Sequence, residues 1–186
     1  MSNLKISLNA LVLCAAVLSD GGAASLKAQG VNVATLAFND AKAEKQLFNL
    51  IRNSYVRALK SARGLNVKDN VQTRLAVQTM MALRAIDSPE KVRSAGKLLS
   101  VDYFCLLGAS DGRRNDDGSW SLKIEAGVID ALSGEFVAET YRSIDNNSAS
   151  ADIVACSQAL AAEMESVIRK KRLDDKISGL KELIKR

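Results

Sequence analysis

Two periodicities of apolar residues divide the chain. From Leu98 to Arg142 the apolar positions form three runs, LLSVDYFCLLGAS, SWSLKIEAGVID and EFVAETYR, the first two joined by the polar stretch DGRRNDDG. The connections are too short for any crossover, so the runs are expected as consecutive antiparallel strands. In the middle run Trp120, Leu122, Ile124, Ala126 and Val128 alternate with Ser121, Lys123, Glu125 and Gly127, which predicts one dry face and one wet face. Ser133-Gly134 supplies the tight turn into Phe136–Arg142.

The flanking segments carry the helical period. Val31–Phe38 is β-branched and apolar and reads as a buried first strand, with Asp40 placed to cap the helix after it. Over residues 41–63, Leu47, Phe48, Ile51, Tyr55, Ala58, Leu59 and Ala62 recur at three- and four-residue spacing and make one covering face. Gly64 suits a left-handed helix end, and Leu65–Asp69 reads as a short strand near a sheet edge. A further helix is expected from Val71 to Ala85. Ser88-Pro89-Glu90 then opens a helix through Leu99, with Ala95-Gly96 suited to close packing. A last helix opens at Asp152 with Ile153, Cys156, Leu160, Met164 and Val167 on one side. The order β-α-β-α-α-β-β-β-α predicts an α+β (mixed α/β) fold: a single mixed sheet, part of it a three-stranded antiparallel meander, with helices packed on it. The expected division is an N-terminal segment 1–28, one domain over 29–168 and a tail over 169–186.

Lys5 followed by ISLNALVLCAAVLS and a run of small residues has the build of an export signal cleaved within 23–28; the alternative is an apolar helix that stays attached. Cys14 is a candidate for lipidation, against an unmodified thiol in a discarded peptide. Export would place Cys105 and Cys156 in an oxidising space, where they are candidates for a disulfide or for two separate buried thiols.

Charge changes the picture once it is located. Of the 26 Lys and Arg and 21 Asp and Glu in the 186 residues, 8 and 3 fall in residues 169–186, so the body is balanced and the net charge of +5 belongs to the tail. A balanced body offers no phosphate-tracking stripe, and no nucleic-acid partner is expected. The absence of histidine removes Ser-His-Asp and Cys-His nucleophile activation and the usual zinc enzyme sites.

Candidate chemistry is sparse. Ser88–Lys91 and Ser94–Lys97 fit a Ser-x-x-Lys spacing without the partner motifs that complete such a site. Asp111, Asn115, Asp116 and Asp117 crowd one loop without calcium-loop spacing. Asp102, Asp130 and Glu135 sit near strand ends and read as turn and corner residues. No catalytic site, metal or cofactor is expected. The tail stands out: Leu173, Ile177, Leu180 and Ile184 fall at spacings of four, three and four among Lys170, Lys171, Arg172 and further bases. This predicts a basic amphipathic helix suited to a partner groove, its own copy or an anionic lipid surface.

Three segments carry a resemblance. Phe38-Asn39-Asp40 after the first strand, Val101-Asp102-Tyr103-Phe104 with Gly108, and the turn Asp130-Ala131-Leu132-Ser133-Gly134-Glu135 are similar to the structural motifs of the CsgG/LpoB-like periplasmic domain family. That family includes a curli secretion channel component and a lipoprotein activator of a penicillin-binding protein. The resemblance implies a non-catalytic envelope interaction or assembly module, in the periplasm or at the inner face of the outer membrane, with self-association as one mode. The alternatives are a regulator docking on a peptidoglycan synthase and a small envelope hydrolase or ligand-binding protein. The longest polar loop, 111–119, is too short for the membrane-crossing hairpins of the channel, and the single proline, Pro89, leaves no proline-rich tether.

Overall fold

The computed structural model describes residues 30–39, 41, 43–68, 88–114, 116, 120–145 and 147–185. The segment 1–28 with Cys14 and the helix expected over 71–85 lie outside the described residues, as do Asp40, Asp69, Asn70, Asn115 and Asp117. The described elements keep the expected order: β1 (Val31–Asn39), α1 (Lys45–Ser61), β2 (Leu65–Lys68), α2 (Pro89–Leu99), β3 (Tyr103–Arg114), β4 (Trp120–Asp130), β5 (Phe136–Asp145) and α3 (Ser150–Ile184). They build a mixed α/β fold around a five-stranded sheet of order β2-β1-β3-β4-β5.

β3, β4 and β5 form the antiparallel meander, with Cys105 opposite Val128 and Ile124 opposite Arg142. β1 lies between β2 and β3 and runs parallel to both, Val31 opposite Leu65 and Val33 opposite Tyr103. Short β2 occupies the edge, where its half-buried pattern fits.

The pleat divides the core in two. On one face Val33, Cys105, Leu107, Ile124, Ala126 and Val128 pack against Ile51, Tyr55 and Leu59 of α1 and Leu160, Met164 and Ile168 of α3. On the other, Ala34, Leu36, Phe104 and Ile129 meet Val92 and Leu99 of α2. Gly64 adopts φ 85°, as the left-handed helix end requires. Ser100 takes the same role after α2 at φ 51°, with its N–H and that of Val101 closing back on Lys97 and Gly96.

Three boundaries differ from expectation. α1 begins at Lys45 rather than near residue 41, because the Asn39 side chain clasps Ala43 from both sides, accepting its N–H at 2.9 Å and donating to its carbonyl at 2.8 Å. β3 continues to Arg114, so the polar stretch from Asp111 is strand paired with Ser121 and Trp120 after a register shift between Ser110 and Arg113. α3 opens at Ser150, and Asp152 serves it from inside by accepting the Ala149 N–H at 3.2 Å.

Candidate functional site

Helix α3 carries two faces that do different things. Through its first half, Ile153, Ser157, Leu160, Ala161, Met164 and Ile168 are buried against the sheet and α1. The one polar member is satisfied, since Ser157 Oγ donates to the Ile153 carbonyl at 2.8 Å. After Ile168 no residue of the helix is buried, yet the helix runs on to Ile184. The expected tail is thus the distal half of α3.

On this half Leu173, Leu180 and Ile184 are 58%, 60% and 84% exposed, and Ile177 is 41% exposed. At about 100° per residue, Leu180 is rotated about 200° from Leu160. Ile177, Leu180 and Ile184 therefore lie on the side of α3 turned away from Leu160, while Leu173, at the root of the stripe, also borders a cleft with Arg63, Gly64 and Leu65. Among the bases expected to flank it, Lys171 pairs with Asp175 at 2.6 Å, and this hydrogen bond holds the ammonium pKa above its usual value. Lys170 is exposed, while Arg172 turns inward toward a cleft. Just upstream, Arg169 pairs with Glu165 at 2.6 Å and donates to the carbonyl of Arg63, which anchors the root of the distal half to the end of α1.

The cleft, about 690 Å³, opens at the end of the sheet, where Asp102 precedes β3, Tyr103 begins it and Asp130 ends β4, beside Arg172, Asp175 and Lys176 of α3. Its carboxylates are already engaged. Asp102 Oδ2 accepts the Asn32 N–H at 2.8 Å, and Asp130 Oδ1 accepts the N–H groups of Leu132 and Ser133 at 2.7 and 3.2 Å. Asp130 thereby fixes its own corner as an Asx-type turn does, whereas Asp102 ties the start of β3 to β1 across the sheet. Glu135 is exposed, and its carbonyl accepts the Asp130 N–H at 3.0 Å. Burial pushes the Tyr103 phenol up to about 12, with the carboxylates of Asp130 and Asp175 adding to it.

The two serines of the Ser-x-x-Lys spacings serve their own helix: Ser88 Oγ donates to the Glu90 carboxylate at 3.2 Å and Ser94 Oγ to the Glu90 carbonyl at 2.9 Å. Among the described residues no group of three or more Cys, Asp or Glu is placed to hold a metal ion. Cys105 and Cys156 are free thiols rather than a disulfide. Cys105 is sealed inside β3 beneath Tyr55, whose hydroxyl also donates to the Leu106 carbonyl at 3.2 Å, while Cys156 sits half-buried on α3.

Two features had no counterpart in the sequence patterns. Exposed Phe136 and Tyr141 mark β5, and the Lys123 ammonium stands 4.5 Å above the Tyr141 ring while pairing with Glu125 at 2.7 Å. The convergence of Asp102, Asp130 and Arg172 on one cleft was equally hidden, because 70 residues separate its outer members.

No family model matches the chain, and no curated protein sequence matches it. Among solved structures, a hypothetical protein of Chlamydia trachomatis superposes with a TM-score of 0.54 at 15% identity, over 75% of this chain and 98% of that one. The PelC dodecamer protein of Paraburkholderia phytofirmans gives 0.45 at 13% identity, over 75% of this chain and 90% of its own. A lipoprotein of Neisseria meningitidis gives 0.47 at 11%, over 73% and 99%. The first of these shows a shared fold. Among the described residues no helix is long and apolar enough to cross a membrane.

Proposed function

We propose that this chain is a non-catalytic interaction module of the cell envelope, of the CsgG/LpoB-like type, exported by its N-terminal segment and engaging a protein through the distal half of α3. The observation that carries the reading is the exposed apolar stripe of α3, in which Ile177, Leu180 and Ile184 turn away from the buried face of the helix and Leu173 stands 58% exposed at its root. An apolar stripe that its own domain cannot cover is a recognised mark of a partner site. The rigid sheet-and-helix body fixes the root of that stripe through Arg169, and the charge on the tail keeps it soluble until contact. The resemblance in the segments around Asn39, Asp102 and Asp130 supports the envelope setting, together with the signal-like start.

The test is a photo-crosslinking residue at position 180 of the full chain expressed in its native cells, with position 53 on α1 as control. An adduct with a protein at 180 and none at 53, in the envelope fraction, is the expected result. Recovery of the chain from the cytosol, or no adduct at 180 or 177, overturns the reading.

A further inference from the structure

Building on that reading, we propose that the partner is a second copy of the chain, packed antiparallel along the outer face of α3 about a two-fold axis between Arg169 and Lys170. Four small residues, Ala155, Ala159, Ala162 and Ser166, are exposed on the proximal half of α3. Leu173, Ile177, Leu180 and Ile184 each follow one of them by 18 residues. At about 3.6 residues per turn, 18 residues make five whole turns. The small and the large stripe therefore share one straight face, on the side away from Leu160 and Met164, and no supercoil is needed to keep them aligned.

A partner running in the opposite direction reverses the order of the stripes. Residues equidistant from the axis then meet: Leu173 on Ser166, Ile177 on Ala162, Leu180 on Ala159 and Ile184 on Ala155. Each contact occurs twice, as a two-fold interface requires. Every large side chain finds a small one opposite, the arrangement that lets two helices approach closely and interdigitate. Pairing the distal halves alone instead sets Leu and Ile against Leu and Ile and leaves the alanine face bare.

Charge fits the same arrangement. Glu165 of each copy falls on the flank that faces Lys176 of the other, an attraction made twice. Arg169, closest to the axis, is already held back by its own Glu165 and by the Arg63 carbonyl, which leaves the two Lys170 side chains as the like-charge cost. The helices overlap from Ala155 to Ile184, about 45 Å at 1.5 Å per residue. With four positions in seven facing the partner, on the order of 17 residues a side are covered. This is a little under the roughly 20–30 of a standard stable interface, so a dimer in the micromolar range is expected.

Sedimentation velocity on the full chain from about 1 to about 100 µM provides the test. The unaltered chain passes from monomer to dimer over this range. Ala162→Arg and Ile177→Arg each weaken the dimer about tenfold or more, while Asn53→Arg on α1 leaves it unchanged. In a Cys156→Ser background, mixing chains carrying Ala162→Cys with chains carrying Ile177→Cys and oxidising mildly gives a disulfide between the two. Self-association that survives Ala162→Arg but is lost in Ile177→Arg means distal-only pairing and overturns this arrangement. A monomer at every concentration overturns it too, whereas an adduct at position 180 with a different protein would leave the broader interaction reading standing.

Discussion

The backbone of Gly96 in α2 is pressed so closely onto Ala131, just past the end of β4, that a Cβ on Gly96 would lie 2.7 Å from the Cβ of Ala131. Ala131 is itself buried, and its Cβ is carried rigidly by the backbone, so it cannot swing aside. This contact seats α2 on the sheet end, beside Phe104 and Ile129. Two effects compete in Gly96→Ala. Helix propensity favours alanine by about 1 kcal/mol, and overpacking opposes it by about 1–3 kcal/mol. At this separation overpacking wins, and a net loss of up to about 2 kcal/mol is expected in urea unfolding. Adding Ala131→Gly recovers part of that loss; a double variant no better than Gly96→Ala refutes the contact as the cause.

Gly134 combines two constraints, a backbone at φ 78° and a Cβ direction that runs into the carbonyl of Pro89 at the start of α2. Left-handed backbone strains any L residue by about 1 kcal/mol or more, and here the collision is with backbone. Gly134→Ala is therefore expected to cost about 2–4 kcal/mol, more than Gly64→Ala, whose Cβ meets nothing within 4 Å. Equal losses at the two glycines would show that φ alone matters.

The two faces of α3 separate stability from association. Leu160 is wholly buried, and Leu160→Ala is expected to lose about 2–5 kcal/mol through lost burial and the cavity left behind. Leu180→Ala, measured in dilute monomer, should stay within about 0.5 kcal/mol. A loss at Leu180 comparable to that at Leu160 would place the distal stripe inside the body's own core.

Gly179 lies in the distal half with open space around its Cβ position. Gly179→Ala should raise helix stability there by about 1 kcal/mol, read as added helical ellipticity and a higher melting temperature for the distal segment. If ellipticity stays flat, the segment is already fully helical in solution.

Burial makes the fold sensitive to base. The Cys105 thiol is pushed up from 9.0 to about 12 by burial, partly offset by the Tyr55 hydroxyl, and the Tyr103 phenol rises from 10.0 to about 12 through burial and nearby carboxylates. Burial raises Tyr55 as well. In the unfolded chain these groups ionise first, so the stability they confer is complete below about pH 9 and is lost as pH rises toward 12. A group contributes a slope of at most about 1.4 kcal/mol per pH unit, reached only between its unfolded and folded values, so Cys105 acts from about pH 9 and the tyrosines from about pH 10. Urea midpoints from pH 8 to 11 should fall accordingly, and Cys105→Ala should remove one group's share of the slope. An unchanged slope in that variant would mean Cys105 is solvated.

Much of this architecture was legible in local patterns. Alternation in β4, the four-residue spacing of Ile51, Tyr55 and Leu59, and Ser88-Pro89 at the start of α2 each act over a few residues, within reach of turn chemistry and side-chain period. The boundaries that moved did so through contacts such as the clasp of Asn39 on Ala43, whose geometry no propensity encodes. The opposed faces of α3 were hidden for a different reason. The stripe from Leu173 to Ile184 was visible, but its direction has meaning only once Leu160 and Met164 are known to face the sheet; the 20-residue offset from Leu160 to Leu180 was the signal that could have found it.

The amino-acid order alone settled the order of the described strands and helices and that the excess charge sits at one end, because those properties arise between near neighbours. Packing in three dimensions settled that β1 inserts between β2 and β3, that Asp102 and Asp130 share a cleft with Arg172, and that the distal half of α3 leaves Ile177, Leu180 and Ile184 exposed on the side away from Leu160. Those outcomes depend on burying distant apolar faces against one another, and no short stretch of chain contains both sides of that contact.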